Sequence, residues 1–416
     1  MKTQLRKNSL WLLASRLGAQ ALMVLFTILL ARRLGSAGFG EYALLAATIF
    51  IGNMLTTFGT DMLLMREIAA HNDFSRLPAA LLLQFGLSAL FVVFVMVGAP
   101  FFPNQSAQSV LALRIYSLAL FPLAFYTVFT SALRGRERMN SYALLSLAAV
   151  LLQVAVVAFL PTGGIITLAV CLLIIQVIVT LLAGVFCTFQ IPAFWQAWHF
   201  SARAISALVR ASAPIAFLTL LGMLYQKLSI FMLSAFAGAA LTGWFAAALR
   251  AVEASKTIHV SVFTALYPAM ARAEPGSANV FRLTWITLLA GAALIALTLS
   301  LLAAPLVRLL FGLDFLASIP ALQILAWMLV PYTINTYLTL AFIAARQERN
   351  VAVALSASLL ALLLLNLWWI PLLGLAGAAW AALVAESFQA LILLVQRGFQ
   401  ISFIKRGETH EFSELS

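Results

Sequence analysis

Residues 110–160 read VLALRIYSLALFPLAFYTVFTSALRGRERMNSYALLSLAAVLLQVAVVAFL. Two apolar runs, Val110–Leu133 and Tyr142–Leu160, flank a short segment that carries Arg134, Arg136 and Arg138. Each run is close to the ~20 apolar residues that a helix needs to cross a bilayer. The stretch therefore predicts a helical hairpin whose arginine-rich turn stays on one side of a membrane.

The same unit recurs along the chain. Apolar runs at Leu10–Ala31, Tyr42–Met65, Leu77–Phe101, Ile165–Phe189, Ser212–Phe236, Leu241–Met270, Leu283–Ala303, Ile319–Ala345, Val351–Ile370 and Leu375–Val395 bring the expected spans to twelve. The chain is 64% hydrophobic and 9% charged, where a soluble domain carries ~25% charge. Mean hydropathy is +1.05.

Basic residues orient the spans. With the amino terminus in the cytoplasm, seventeen lysines and arginines fall in cytoplasmic segments, including Lys2, Arg66, Arg203, Arg346 and Arg397. Three, Arg32, Arg33 and Arg308, fall outside, and five lie within spans. Short loops biased in this way follow the positive-inside rule and place both termini in the cytoplasm. The net charge of +12 is then explained by topology and anionic lipid headgroups rather than by nucleic acid. Arg16 interrupts the first apolar run, which continues to Ala31, so no cleavable signal peptide is expected. Cys171 and Cys187 stand sixteen residues apart on one predicted helix, about 24 Å at the helical rise, too far for a disulfide. Asn104-Gln105-Ser106 matches a glycosylation sequon by spacing alone.

The two halves resemble each other. Gly35 and Gly40 recur as Gly238 and Gly243, Tyr42-Ala43 as Phe245-Ala246, Ala99-Pro100 as Ala304-Pro305, and Pro122 as Pro331. Arg136 to Asn140 aligns with Arg346 to Asn350. Six spans per half make a parallel repeat, with its pseudo-two-fold axis along the membrane normal. The expected organisation is an all-α polytopic membrane protein: a six-helix lobe at 1–189, a cytoplasmic interfacial linker helix at 190–211 and a second six-helix lobe at 212–416. Trp195, Trp198, His199, Arg203 and Arg210 give the linker its interfacial character.

No phosphate-binding loop, zinc motif, C-x-x-C pair or nucleophile elbow occurs. Hydrophilic segments reach only about twenty residues, which leaves no room for a catalytic domain. The chain reads as a non-enzyme that needs no cofactor and no metal, with H+ or Na+ as the candidate coupling cation.

Charges inside spans cost ~2.5–3.5 kcal/mol near the bilayer centre and mark function by default. The set is Arg16, Asp61, Arg114, Lys227, Arg250, Glu253, Lys256 and Glu386, with His259 nearby. Arg250, Glu253, Lys256 and His259 follow a three-residue spacing that stacks them along one helix, so Glu253 can pair with either cation. Lys227 is the leading ligand candidate, joined by Arg250, Lys256 and Arg114, although Arg114 sits near a span end where it can snorkel. Glu386 and Glu253 are the candidate coupling or pairing acids, with His259 as a coupling histidine. Arg16 and Asp61 lie at similar depth and predict a gating ion pair. Pro122, Pro268, Pro320 and Pro331 are candidate kinks.

The segment Thr27–Tyr42, TILLARRLGSAGFGEY, resembles the loop after the first helix in the polysaccharide transporter family. That family belongs to the multidrug, oligosaccharidyl-lipid and polysaccharide flippase superfamily. Met65-Arg66-Glu67-Ile68-Ala69, Gly238 to Ala248, Tyr267-Pro268-Ala269-Met270 and Leu310-Phe311-Gly312 with Phe315 resemble further segments of it. The resemblance implies an inner-membrane flippase for polyprenyl-diphosphate-linked oligosaccharide, serving O-antigen, capsule or exopolysaccharide assembly by alternating access. It implies a monomer with membrane lipids and polysaccharide polymerase machinery as partners. The alternative reading is cation-coupled export of small organic molecules, as in the multidrug-extrusion branch.

Overall fold

In hydrocarbon every peptide group must find its hydrogen-bond partner within the protein, which restricts spans to helices or closed barrels. A computed structural model of the chain describes the backbone at residues 2–159, 164–191, 194–197, 202–272 and 277–413. It describes side chains at 18–159, 164–191, 194–195, 204–213, 216–256 and 283–397. Among these residues the secondary structure is entirely helix, with no strand.

The α-helices are α1 (Lys2–Thr57), α2 (Thr60–His71), α3 (Leu77–Gly98), α4 (Ala107–Ser117), α5 (Leu120–Gly135), α6 (Met139–Phe159), α7 (Ile165–Gln190) and α8 (Ala202–Phe236). They continue with α9 (Gly238–Arg272), α10 (Ser277–Leu301), α11 (Ala303–Leu310), α12 (Ile319–Ala326), α13 (Leu329–Ala344), α14 (Glu348–Leu373) and α15 (Leu375–Ser413). Each expected span falls on helix where the backbone is described. Nine helical stretches among the described residues are long and apolar enough to cross a membrane, and a tenth arises if the bent pair Leu313–Ala326 and Leu329–Ala344 is one span. Phe94, Leu181 and Leu364 are 68%, 64% and 56% exposed, as side chains facing lipid would be.

The chain forms two compact units, Met1–Gly243 and Trp244–Ser416. In the first, α1 packs along α6 and α8, α2 against α5, and α4 and α5 against α7. Its core joins Leu64 and Ile68 of α2, Val128 and Phe129 of α5, Cys187 of α7 and Leu208 of α8. Phe194 and Trp195 fold back onto this core, where Trp195 Nε1 donates to Thr188 Oγ1 at 3.0 Å. Residues 202–211 belong to the same continuous helix as span seven. In the second unit α14 packs along α15, and α13 and α12 pack against α15. Val351, Ala354, Ser358, Leu362, Asn366 and Ile370 form the buried stripe of α14, a three-to-four-residue period that seats one helix face on its neighbours. Small residues bring α15 close, with Ala378, Ala381 and Ala385 fully buried.

Several spans are broken, and each break has a local cause. Gly35 takes φ 68°, ψ −177° inside α1, a conformation essentially restricted to glycine, and it separates spans one and two. Span two breaks again between α1 and α2, at Phe58 (φ 51°) and Gly59 (φ 68°). There the Thr60 hydroxyl donates to the Thr57 carbonyl at 2.6 Å and accepts from Gln84 Nε2 of α3 at 2.7 Å. The α4/α5 and α12/α13 breaks precede Pro122 and Pro331, which stand in the first turns of α5 and α13. Pro320 begins α12 rather than kinking a span, since a first-turn N–H needs no helical partner. Pro268 lies outside the described side chains.

The internal repeat is written in the backbone. Leu118 N and Ala119 N donate to Ile115 O and Tyr116 O; Trp327 N and Met328 N donate to Ile324 O and Leu325 O, each 209 residues later. The helix end at Glu137 (φ 57°), with Arg138 N donating to Leu133 O, recurs at Arg346 (φ 57°), with Gln347 N donating to Phe342 O. Arg136 therefore corresponds to Ala345 and not to Arg346. The sequence alignment slips by one because side-chain identity, not the left-handed backbone position, guided it.

The Thr60–Gln84 pair is buried on both sides, so removing one partner strands the other at a cost of about 1–3 kcal/mol. Thr60→Val is expected to lower the unfolding temperature in detergent, and adding Gln84→Leu is expected to recover part of the loss. Additive effects of the two substitutions would remove the bond from the account of the break.

Candidate functional site

The second unit gathers polar side chains from three helices at mid-span. From α9, Arg250 Nη1 meets Glu253 Oε2 at 3.1 Å, both side chains partly exposed. The helical spacing alone brings this pair together, because residues three apart share a face. One turn on, Lys256 Nζ lies 4.3 Å from the ring centroid of Tyr332 on α13, a cation–π geometry. Tyr332 is also within electrostatic reach of Glu253 and Glu386. One turn along α13, Asn335 Nδ2 donates to Glu386 Oε1 of α15 at 2.8 Å and to the Glu386 main-chain carbonyl at 2.9 Å. Glu386 and Asn335 are each only 4% exposed. Asn335 Oδ1 has no hydrogen-bond partner among the described residues.

The cluster thus holds two cations, Arg250 and Lys256, and two carboxylates, Glu253 and Glu386, bridged by a phenol and an amide. Tyr332 and Asn335 escape a charge-based reading of the sequence. Their signal is weaker: neutral hydrogen-bonding groups inside an apolar run, which in lipid need a protein partner.

In the first unit, Lys227 of α8 places Nζ 5.2 Å from the ring centroid of Phe50 on α1. Arg114 has a different setting. Its Nε and Nη2 both donate to the Met96 carbonyl, at 3.1 and 2.8 Å. Pro100, four residues after Met96, has no N–H to offer that carbonyl, and the guanidinium takes the missing donor's place. Asp61 stands in the first turn of α2, where the helix dipole favours a carboxylate. Arg16 and His259 lie outside the described side chains. Cys187 is buried, with its Sγ 3.3 Å from the Phe129 carbonyl, and both cysteines are free. An apolar groove of about 580 Å³ runs between α5 and α7 past Phe121, Phe125, Phe129, Phe189 and Trp195, and none of the charged candidates lines it. No group of three or more His, Cys, Asp or Glu suited to a metal ion occurs among the described residues.

Removing one partner of a buried hydrogen bond leaves the other unsatisfied at a cost of about 1–3 kcal/mol. Asn335→Leu is therefore expected to destabilise the protein by that amount in detergent unfolding. Glu386→Gln, which keeps an oxygen facing Asn335, is expected to be tolerated. Equal losses from the two would show that the α13–α15 contact depends on charge rather than on this bond.

Known proteins place this architecture. The chain superposes on a lipid II flippase, MurJ in an inward closed conformation, with TM-score 0.74 and 13% identity, covering 93% of this chain and 87% of that one. An inward-facing MATE family multidrug resistance transporter of the MOP superfamily matches at TM-score 0.70 and 16% identity, over 93% and 96% of the two chains. A MOP superfamily transporter from Pyrococcus furiosus, described by the reversed polarity of its binding pocket, matches at 0.65 and 17%, over 97% and 96%. These likenesses show the fold: an all-helical chain with the two-lobe architecture of those proteins. Residues 5–274 match the sequence model of the polysaccharide biosynthesis protein family, well over half of the chain, and the protein belongs to that family.

Proposed function

We propose that the protein flips a polyprenyl-diphosphate-linked oligosaccharide from the cytoplasmic to the outer leaflet by alternating access, for cell-surface polysaccharide assembly. Membership of the polysaccharide biosynthesis family is the observation that carries this reading, and the likeness to a lipid II flippase agrees with it. The substrate class sets two physical demands. Its diphosphate needs cations where it crosses, and its isoprenoid tail needs a path that stays in lipid.

Lys227 of α8 and Arg250 and Lys256 of α9 lie within long helices and are the groups assigned to the diphosphate. Arg114, the fourth candidate for the diphosphate and sugar path, donates to the Met96 carbonyl at the end of α3. Arg250 pairs with Glu253 and Lys256 stacks on Tyr332, so a bound diphosphate would compete with these contacts through charge-assisted bonds of its own. Glu386 is the acid assigned to coupling, through H+ or Na+, because a buried carboxylate beside an amide oxygen offers oxygen ligands to a cation. The proposed setting is the inner membrane with both termini cytoplasmic, twelve spans, lobes at 1–189 and 212–416 joined by 190–211, a monomeric transporter, and polymerase machinery as the downstream partner.

The second reading is cation-coupled export of a small organic molecule. Two features favour it: buried Glu386 with its Asn335 donor, and the equal number of acids and cations in the second-unit cluster.

Reconstitution separates the two. Proteoliposomes carrying a fluorescent polyprenyl-diphosphate oligosaccharide are expected to show protein-dependent movement across the bilayer. Lys227→Ala and Arg250→Ala are each expected to slow it at least tenfold without loss of folded protein. Absence of lipid movement, with gradient-driven export of small cations that Glu386→Gln blocks, would establish the exporter instead.

A further inference from the structure

Within the first unit, α1 and the first residues of α9 cross at backbone contact. A Cβ built on Gly40 of α1 would overlap the Ala239 carbonyl oxygen and lie 2.8 Å from the Gly243 main-chain nitrogen. One built on Gly243 of α9 would overlap the Ser36 carbonyl oxygen and lie 3.0 Å from the Gly40 nitrogen. The contact is reciprocal: position 36 faces 243 and position 239 faces 40, and each position is separated from its counterpart by 203 residues. The crossing therefore sits on the pseudo-two-fold relation between the repeats. Ser36-x-x-x-Gly40 and Ala239-x-x-x-Gly243 are small-residue pairs of the type that lets membrane helices approach to backbone contact, where Cα–H groups meet carbonyls.

Two further features surround it. Each arm follows a glycine with positive φ, Gly35 at 68° and Gly238 at 82°, so each leaves its preceding helix through a joint that other residues rarely adopt. Beside the crossing, the loop after α3 reaches the end of α8. Asn104 Nδ2 donates to the Ala235 carbonyl at 2.6 Å, and Gln105 Nε2 donates to Ser234 Oγ at 3.0 Å.

We propose that the Gly40–Gly243 crossing, latched by Asn104 and Gln105, is the seal that closes the outer end of the transporter and must part for the substrate to leave. The inference rests on the alternating-access reading above. The seal suits reversible opening. It is made of main-chain contacts and a few polar bonds that water can replace, beside a single edge contact between the rings of Phe102 and Phe231. Its tolerance is narrow, because one methyl group on either glycine forces the arms apart.

The test uses full-length protein in proteoliposomes, with Cys171 and Cys187 replaced, and Gln105→Cys and Ser234→Cys introduced. A short bifunctional thiol reagent is expected to cross-link the pair, abolish lipid movement, and release it again on reduction. In the same background, Gly40→Ala or Gly243→Ala is expected to lower cross-link yield severalfold. Each is also expected to raise labelling of the thiol introduced at position 105 by a membrane-impermeant reagent. Lipid movement that continues in fully cross-linked protein would overturn the proposal. So would glycine variants, folded by size-exclusion chromatography, that cross-link and label like their parent. Cross-linking and labelling need no substrate. A preparation that moves no polyprenyl lipid yet responds to the glycine substitutions as expected would keep the seal and reject the flippase.

Discussion

The peptide group's intolerance of hydrocarbon governs this molecule. A carbonyl or N–H left without a partner in lipid costs several kcal/mol, so long helices are the default and every interruption needs a local remedy. At the α1/α2 break, Thr60 and Gln84 supply it. At the end of α3, Arg114 supplies the donor that Pro100 lacks. Arg114 shows how a charge within an apolar run can serve the backbone of a neighbouring helix.

A second constraint acts on the charged side chains. Each must enter the membrane with a partner, and the second unit meets this with a chain of contacts. Arg250 pairs with Glu253, Lys256 stacks on Tyr332, and Asn335 holds Glu386. The cluster sets two basic side chains beside two carboxyl groups.

The repeat separates scaffold from chemistry. Backbone hydrogen bonds, left-handed helix ends, hinge glycines and prolines recur at offsets of 203 to 209 residues. The charges do not. Positions matching Arg250, Glu253 and Lys256 in the first half are Ala47, Phe50 and Asn53, and the position matching Glu386 is Val177. Duplicated geometry supplies two similar helical frames, and the ionisable network occupies one of them.

Local and additive signals made the helical class, the apolar runs and the repeat legible in the sequence. Hydropathy and the three-residue spacing of Arg250 and Glu253 depend on neighbours along the chain, so no fold is needed to read them. What joins Asn335 to Glu386, Lys256 to Tyr332, Arg114 to Met96 and Gly40 to Gly243 is proximity between residues that lie from 18 to over 200 positions apart. Neutral amides and hydroxyls such as Gln84 and Asn335 look alike in any apolar run. Only helix packing decides which of them meets a partner, because a polar group in lipid takes its meaning from the atom placed within about 3 Å of it.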